Sequence, residues 1–384
     1  MSKIKRVRTR YPNLECGAFK AMLDDSRRTK ENLGLTSGEI EFVFQSTNHE
    51  GPRDPDAIYF NTGGRDWDQH GHPDNQSLAE MCSLDLVRGD YDFLKRRPWL
   101  PEVYELVRQN DIRGTRISNH PRNLRELMNG LTWRYPNDPK LVLDWLALAF
   151  CGVFENRRNG MNIKKVFDPQ CLSAGVAAYD ASRSEWFEQL LAEAIKSVNL
   201  QESWAKNSIA KAEELKRTAE IMVPSIGVKV KVIEVLCDSI KTAPMARSRG
   251  YQFVIQWHRD SGQVQIHGGF IKKGDAKLQL DLAPLAKRLR QVEAAAEGML
   301  IDPADDLSAP LMIRFVDGRR IPWFLPEYRT SVYNGTLSSA DVAPTKIDRY
   351  KLFNIVIQIL PQCQPLAGKQ DGDSAGDPAE ATAD

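Results

Sequence analysis

Residues 56–72 read Asp-Ala-Ile-Tyr-Phe-Asn-Thr-Gly-Gly-Arg-Asp-Trp-Asp-Gln-His-Gly-His, so Asp66, Asp68, His70 and His72 stand close together. Carboxylates and neutral imidazoles are suitable ligands for Mn²⁺ and similar ions. The run begins with a strand-like Ala57-Ile58-Tyr59-Phe60, ended by Thr62-Gly63-Gly64. Open α/β sheets place their sites just past the carboxyl ends of strands. A metal or phosphate site fits this pattern. A polar loop with a helix-capping aspartate fits the same spacing, and residue types alone leave both open. Gly63-Gly64 is no P-loop, because no Gly-Lys-Ser/Thr follows it.

A second group lies far along the chain. Arg247, Arg249, His267, Gly268 and Gly269 could form a phosphate-holding patch, since arginine forks grip phosphate bidentately. Ordinary exposed surface arginines are the commoner explanation of such residues. Cys16 has no histidine at a recognisable spacing, so a thiol nucleophile is not expected. Trp133, Trp145 and Trp186 sit in apolar patterns and read as core.

The elements that would position these residues fall into two lobes. In the first, Ile40–Phe44 and Ala57–Phe60 read as buried strands, with helices over Cys16–Leu23, Ser77–Val87 and Leu141–Phe154. Strands alternating with helices predict an α/β lobe with a mainly parallel sheet over residues 1–160. A helical connector spans 161–224: Ser182-Arg183-Ser184-Glu185 matches a capping box, and the helical pattern behind it runs to about Met222, where Pro224 stops it. The second lobe, 225–362, reads as α+β with an antiparallel sheet. Its signals are a strand at Val228–Val232, a hairpin turning at Asp260-Ser261-Gly262, and a second hairpin, Met312–Val316 with Ile321–Leu325, turning at Asp317–Arg320. Helices at about Leu282–Ala296 and Asp348–Leu360 complete it, with Tyr333-Asn334-Gly335 as a turn. Residues 363–384 are small and acidic, with few large apolar side chains, and read as a disordered tail.

Composition bounds the function classes. In 384 residues, 42% are hydrophobic and 27% charged, enough for two cores. Lys+Arg 52 against Asp+Glu 51 gives +1, so whole-protein charge does not point to nucleic acid. The start is locally basic, with Lys3, Lys5, Arg6, Arg8 and Arg10. No run of about 18 apolar residues predicts a membrane span, and no apolar stretch follows the basic start as a secretory signal would require. Six scattered cysteines without CxxC spacing fit reduced thiols, hence a cytoplasmic protein.

Gly63-Gly64 followed by Asp68-Gln69-His70, behind an apolar strand, resembles the DHH phosphoesterase superfamily, nearest its Myg-type exonuclease branch. Three further matches keep the family's order. Thr9–Cys16 is similar to the opening strand-to-helix motif, Cys82–Val87 to the small-residue helix behind the DHH loop, and Val107–Gly114 to the later motif that supplies a metal-binding aspartate. Gln263–Gly269 and Asp281-Leu282 resemble the DHH-associated domain. The resemblance covers most of 5–115 and, loosely, 225–360. It implies a DHH-like first domain, a DHH-associated-like second domain, and a Mn²⁺- or Mg²⁺-dependent phosphodiesterase or nuclease acting on a nucleotide or nucleic-acid end.

Departures from the family pattern bear on activity. The opening histidine corresponds to Arg10, the aspartate after it to Glu15, the strand-end aspartate to Asn61 and the middle DHH residue to Gln69. Asp68 and His70 remain as the implied catalytic residues. Asp68, His70, Asp111, Glu15 and Asn61 are the implied metal positions, and Arg10 joins Arg247, Arg249, His267, Gly268 and Gly269 as candidates for phosphate. An arginine cannot ligate a metal, and an amide is not anionic. The alternative is therefore a catalytically silent scaffold that binds a nucleotide, nucleic acid or protein partner.

Overall fold

A computed structural model describes residues 6–9, 12–25, 40–44, 54–60, 97–113, 116–303, 305–310, 315–317, 319–326, 328–335 and 342–366; at 25, 60 and 111–113 the backbone alone is described. The chain is mixed α/β, in two compact units, Met1–Leu200 and Gln201–Asp384. Among the described residues, no helix is long and apolar enough to cross a membrane.

In the first unit, β1 (Arg6–Thr9) lies between β2 (Glu41–Phe44) and β3 (Ala57–Phe60) in an all-parallel sheet of order β2-β1-β3. Val7 sits in register with Phe42 and Ile58. Helix α1 (Leu14–Asp25) follows β1 at once. Then come α2 (Leu100–Arg113), α3 (Leu124–Arg134), α4 (Pro139–Arg158) and α5 (Pro169–Tyr179). Helix α4 is apolar nearly all round, so it becomes the buried axis of the unit, with Trp145 fully covered and stacked on Phe187 at 5.2 Å. Asp138 caps it by accepting from the Leu141 N–H at 3.0 Å. Helices α4 and α5 approach so closely that a Cβ on Gly175 would stand 2.3 Å from the Gly152 carbonyl oxygen. The expected helix at 77–87 lies outside the described residues.

Helix α6 runs from Ser184 to Glu214. Its entry corrects the expected capping box. Asp180 caps a preceding 3₁₀ turn at Ala181–Arg183, its carboxylate accepting from the Ser182 N–H at 3.1 Å and hydroxyl at 2.6 Å. The exit is also earlier than expected. Lys216 takes a left-handed conformation (φ 52°), and the Arg217 N–H closes back on the Ala212 carbonyl at 2.8 Å. Thr218–Val223 is therefore strand β4, not helix.

The second unit is a five-stranded mixed sheet, β10-β7-β6-β5-β4, built from β4, β5 (Val228–Leu236), β6 (Phe253–Trp257), β7 (Val264–Gly268) and β10 (Ser331–Asn334). It is not purely antiparallel as expected. Helix α7 (Thr242–Ser248) carries the chain over from β5 and sets β6 parallel to it. The β6–β7 hairpin is as expected, with Gly262 left-handed (φ 67°) in its turn. A small hairpin, β8 (Ile271–Lys273) with β9 (Ala276–Leu278), precedes α8 (Ala283–Glu297). Helix α9 (Arg349–Ile359) is capped by Asp348, which accepts from the Lys351 N–H at 2.9 Å.

Two expectations near the end are corrected. Tyr333-Asn334-Gly335 is not a turn: Tyr333 and Asn334 belong to β10, and the turn geometry is confined to Gly335 (φ 76°). The first strand of the expected second hairpin lies mostly outside the described residues, though across its turn the Phe315 N–H donates to the Arg319 carbonyl at 2.8 Å. Phe315 bridges Ile301, and Phe324 bridges Tyr333. Buried Arg290 accounts for the path, donating to the carbonyls of Trp323 (3.2 Å), Leu307 (2.8 Å) and Ala309 (2.9 Å). Gln364–Leu366, read as part of the tail, pair with Gln279–Asp281. Residues 367–384 lie outside the described set.

Candidate functional site

The carboxyl edge of the first sheet is where the resemblance would place its metals. Here β1 ends at Thr9, whose hydroxyl lies 3.1 Å from the Cys16 thiol. Asn13 caps α1 by accepting from the Cys16 N–H at 2.8 Å, which places Glu15 in the first turn, 3% exposed. Asp111 lies in the last turn of α2, with only its backbone described. Arg10, Asn61, Asp68 and His70, with Asp66 and His72, lie outside the described residues, as do Gly63 and Gly64. Among the described residues, no group of three or more His, Cys, Asp and Glu forms a metal-holding cluster. Glu15 is the one implied ligand there with a described side chain. One carboxylate alone does not make a divalent-ion site.

The basic start of the chain turns out to be partly neutralised. Arg6 and Arg8 both donate to Asp54, at 2.9 and 3.0 Å. The Arg8 hydrogen bond, the Asp56 N–H and Arg6 hold the Asp54 carboxyl down at about 2. These two arginines therefore tie β1 to the entry of β3 instead of forming an open cationic patch.

The second unit brings several of the other candidates together. A cleft of about 400 Å³ is lined by Lys229, Arg247, Gly269, Lys272 and Lys277, with Tyr251 and Gln252 among its other walls. Its lining includes four cationic side chains and no carboxylate. Arg247, at the end of α7, donates from Nη2 to the Gly268 carbonyl at 2.9 Å, and its buried Nε meets no hydrogen-bond partner.

The two glycines act differently from a phosphate-cradling loop. The Gly268 N–H already donates to the Thr330 carbonyl (2.9 Å), and the Gly269 N–H to that of Gln252 (2.7 Å). Their role is close approach. A Cβ on Gly268 would lie 2.5 Å from the Thr330 oxygen, and one on Gly269 would lie 3.1 Å from both Arg247 Nε and the Gln252 oxygen. Arg249 is engaged elsewhere, on Glu213 at 3.1 Å, which also accepts from the Tyr251 hydroxyl at 3.1 Å. Lys229, Lys272 and Lys277 carried no motif and were missed in the sequence; only the topology gathers them.

His267 lies beside Arg247 but adds no positive charge at neutral pH. Burial first, then the charges of Arg247 and of His258, push its imidazole down to about 3. Its Nε2 lies 3.1 Å from Gln265 Oε1, and its ring sits edge-on to Tyr333 at 5.5 Å. The unfolded imidazole titrates near 6.5, so between that pH and about 3 the unfolded chain binds the extra proton. Stability from this group is complete above the upper limit and falls as pH drops through the window. His267→Gln should therefore show a shallower loss of urea midpoint between about pH 7 and pH 4.5 than the natural protein. An equal slope in both would remove His267 from the acid response.

Comparison with known proteins adds no relative: neither a protein-family model nor a curated protein sequence matches this chain.

Proposed function

We propose that this protein binds a phosphodiester-bearing ligand, a nucleotide or nucleic-acid end, on a divergent DHH-type scaffold. The observation that carries the reading is the second unit's cleft, where Lys229, Arg247, Lys272 and Lys277 line a cavity without a carboxylate. Such a cavity favours anions, and the arginine offers a fork where lysines offer point charges. The resemblance of Gln263–Gly269 to the DHH-associated domain supports the reading at Gly268 and Gly269, while Arg247 enters on its chemistry alone.

Hydrolysis is the second reading. What favours it is the all-parallel order β2-β1-β3, with central β1 leading into a helix that buries Glu15 in its first turn. On this reading Asp68, His70 and Asp111 hold Mn²⁺ or Mg²⁺, and the replacements at Arg10 and Asn61 weaken the site.

One experiment addresses both. Binding of a labelled single-stranded oligonucleotide should weaken roughly twenty- to fifty-fold between about 50 and 200 mM salt, as three or four phosphate contacts to a single strand imply. The same mixtures with added Mn²⁺ are then run on a gel. Binding without cleavage supports the scaffold, and Mn²⁺-dependent cleavage supports the enzyme. No binding at low salt would overturn the proposal.

A further inference from the structure

Strand alternation divides the second sheet into two unlike faces. Val264 and Ile266 of β7 turn into the core shared with α8 and α9, while Gln265 and His267 turn to the opposite face. Register completes that opposite face: Gln265 lies between Gln256 and Tyr333, and His267 between Val254 and Ser331. Over β5 and β6 the face is apolar, with Ile233, Val235 and Val254 packed against Ile209, Ala243 and Ala246. Over β7 and β10 it changes character, and Gln265, His267 and Tyr333 are only half-buried.

Tyr328 extends this polar half. Its hydroxyl lies 3.0 Å from that of Tyr333, yet the residue is 56% exposed. The half-face thus presents two phenols, an amide and a neutral imidazole. At its end stands Arg247, bonded to the carbonyl of Gly268, the residue after His267, and open to the cationic cleft. A neutral, hydrogen-bonding surface that meets a cationic pocket at Arg247 complements a ligand with one planar polar ring and one anionic end.

We propose that this shelf receives the base of a nucleotide whose phosphate lies at Arg247, with Tyr328 as the stacking surface and Gln265 as the amide that meets the base edge. The inference rests on the phosphate-binding reading and goes further, naming a nucleoside monophosphate unit as the ligand class. A π-face stacks on any base, so preference among bases falls to Gln265, whose amide retains one N–H beyond its bonds to the Gly335 carbonyl (3.5 Å) and to His267 Nε2 (3.1 Å).

The test is calorimetry with adenosine 5′-monophosphate and ribose 5-phosphate, which differ only in the base. The natural protein should bind the nucleotide about ten-fold more tightly than the sugar phosphate, in the range expected for one base stacked on one aromatic side chain. Tyr328→Leu should bring the ratio of the two affinities near one, and Tyr328→Phe should keep it. Gln265→Ala provides a second reading if the leucine variant fails to fold, and it should lower the ratio about three-fold. Equal affinities in the natural protein would overturn the shelf and leave phosphate binding standing. An undiminished ratio in both Tyr328→Leu and Gln265→Ala would also overturn it. If neither ligand binds, the phosphate reading itself fails, and the shelf with it.

Discussion

Replacing Arg247 with alanine should weaken ribose 5-phosphate binding about ten-fold or more, because a hydrogen bond from a charged donor contributes roughly 1.5–3 kcal/mol. The expectation follows from how the guanidinium is held. One arm is fixed on the Gly268 carbonyl at 2.9 Å, and the side chain lines the cleft with its remaining donors. A fork anchored at one end loses little entropy when a phosphate takes the other. Arg247→Lys keeps the charge but cannot reach the carbonyl and a phosphate together, so its loss should be intermediate. Arg249→Ala is the informative comparison. That arginine lies two residues away on the same turn but is engaged by Glu213, so binding should change by less than about two-fold, as for an exposed pair. Equal losses for Arg247→Ala and Arg249→Ala would mean that regional charge, not the cleft, governs affinity.

Much of the local structure was legible in the sequence where one physical signal dominated. The apolar run Ala57–Phe60 could only be a buried strand, and Asp348 was a sound helix cap. Asp260-Ser261-Gly262 set the hairpin because a left-handed glycine was available at its end. Legibility failed where long-range partners decided. Thr218–Val223 continued a helical pattern in sequence, but reversal at Lys216 and pairing with β5 made it a strand. Tyr333-Asn334-Gly335 had turn composition, yet β7 recruits Tyr333 and Asn334 as an edge strand. The cleft shows the same limit. Arg247 and the paired glycines were visible as a motif, whereas Lys229, Lys272 and Lys277 come from three different strands and meet only in the fold. Arg249 was an equally good candidate by sequence, and only its pairing with Glu213 separates it from Arg247.

Glu293→Ala should destabilise the second unit by about 3–5 kcal/mol, since a hydrogen bond to a charged group contributes roughly 1.5–3 kcal/mol, this carboxylate accepts three, and water replaces part of the set. Glu293 projects from α8 and is fully buried. It accepts from the Trp323 indole N–H at 2.8 Å, from the Lys346 N–H at 2.8 Å and from the Thr345 hydroxyl. Alanine would strand the buried Trp323 indole N–H away from water at a cost of about 1–3 kcal/mol, and would remove the charge-assisted bonds to the half-exposed Thr345 hydroxyl and the exposed Lys346 N–H. The damage would not stay local. Thr345 also donates its N–H to the Asn334 side-chain oxygen at 2.9 Å, and the Asn334 amide holds the Pro322 and Ala343 carbonyls at 2.7 and 3.0 Å. These bonds fix β10, which carries Tyr333. Glu293→Gln keeps the volume and one acceptor but turns an amide donor toward another donor, so it should fall between alanine and the natural residue. Urea unfolding followed by tryptophan fluorescence measures the change directly. With total stabilities of roughly 5–15 kcal/mol, a loss of this size lowers the midpoint by a large fraction. An alanine variant within about 1 kcal/mol of the natural protein, the scale of an ordinary substitution, would show that water replaces the carboxylate and that the network is not what holds β10.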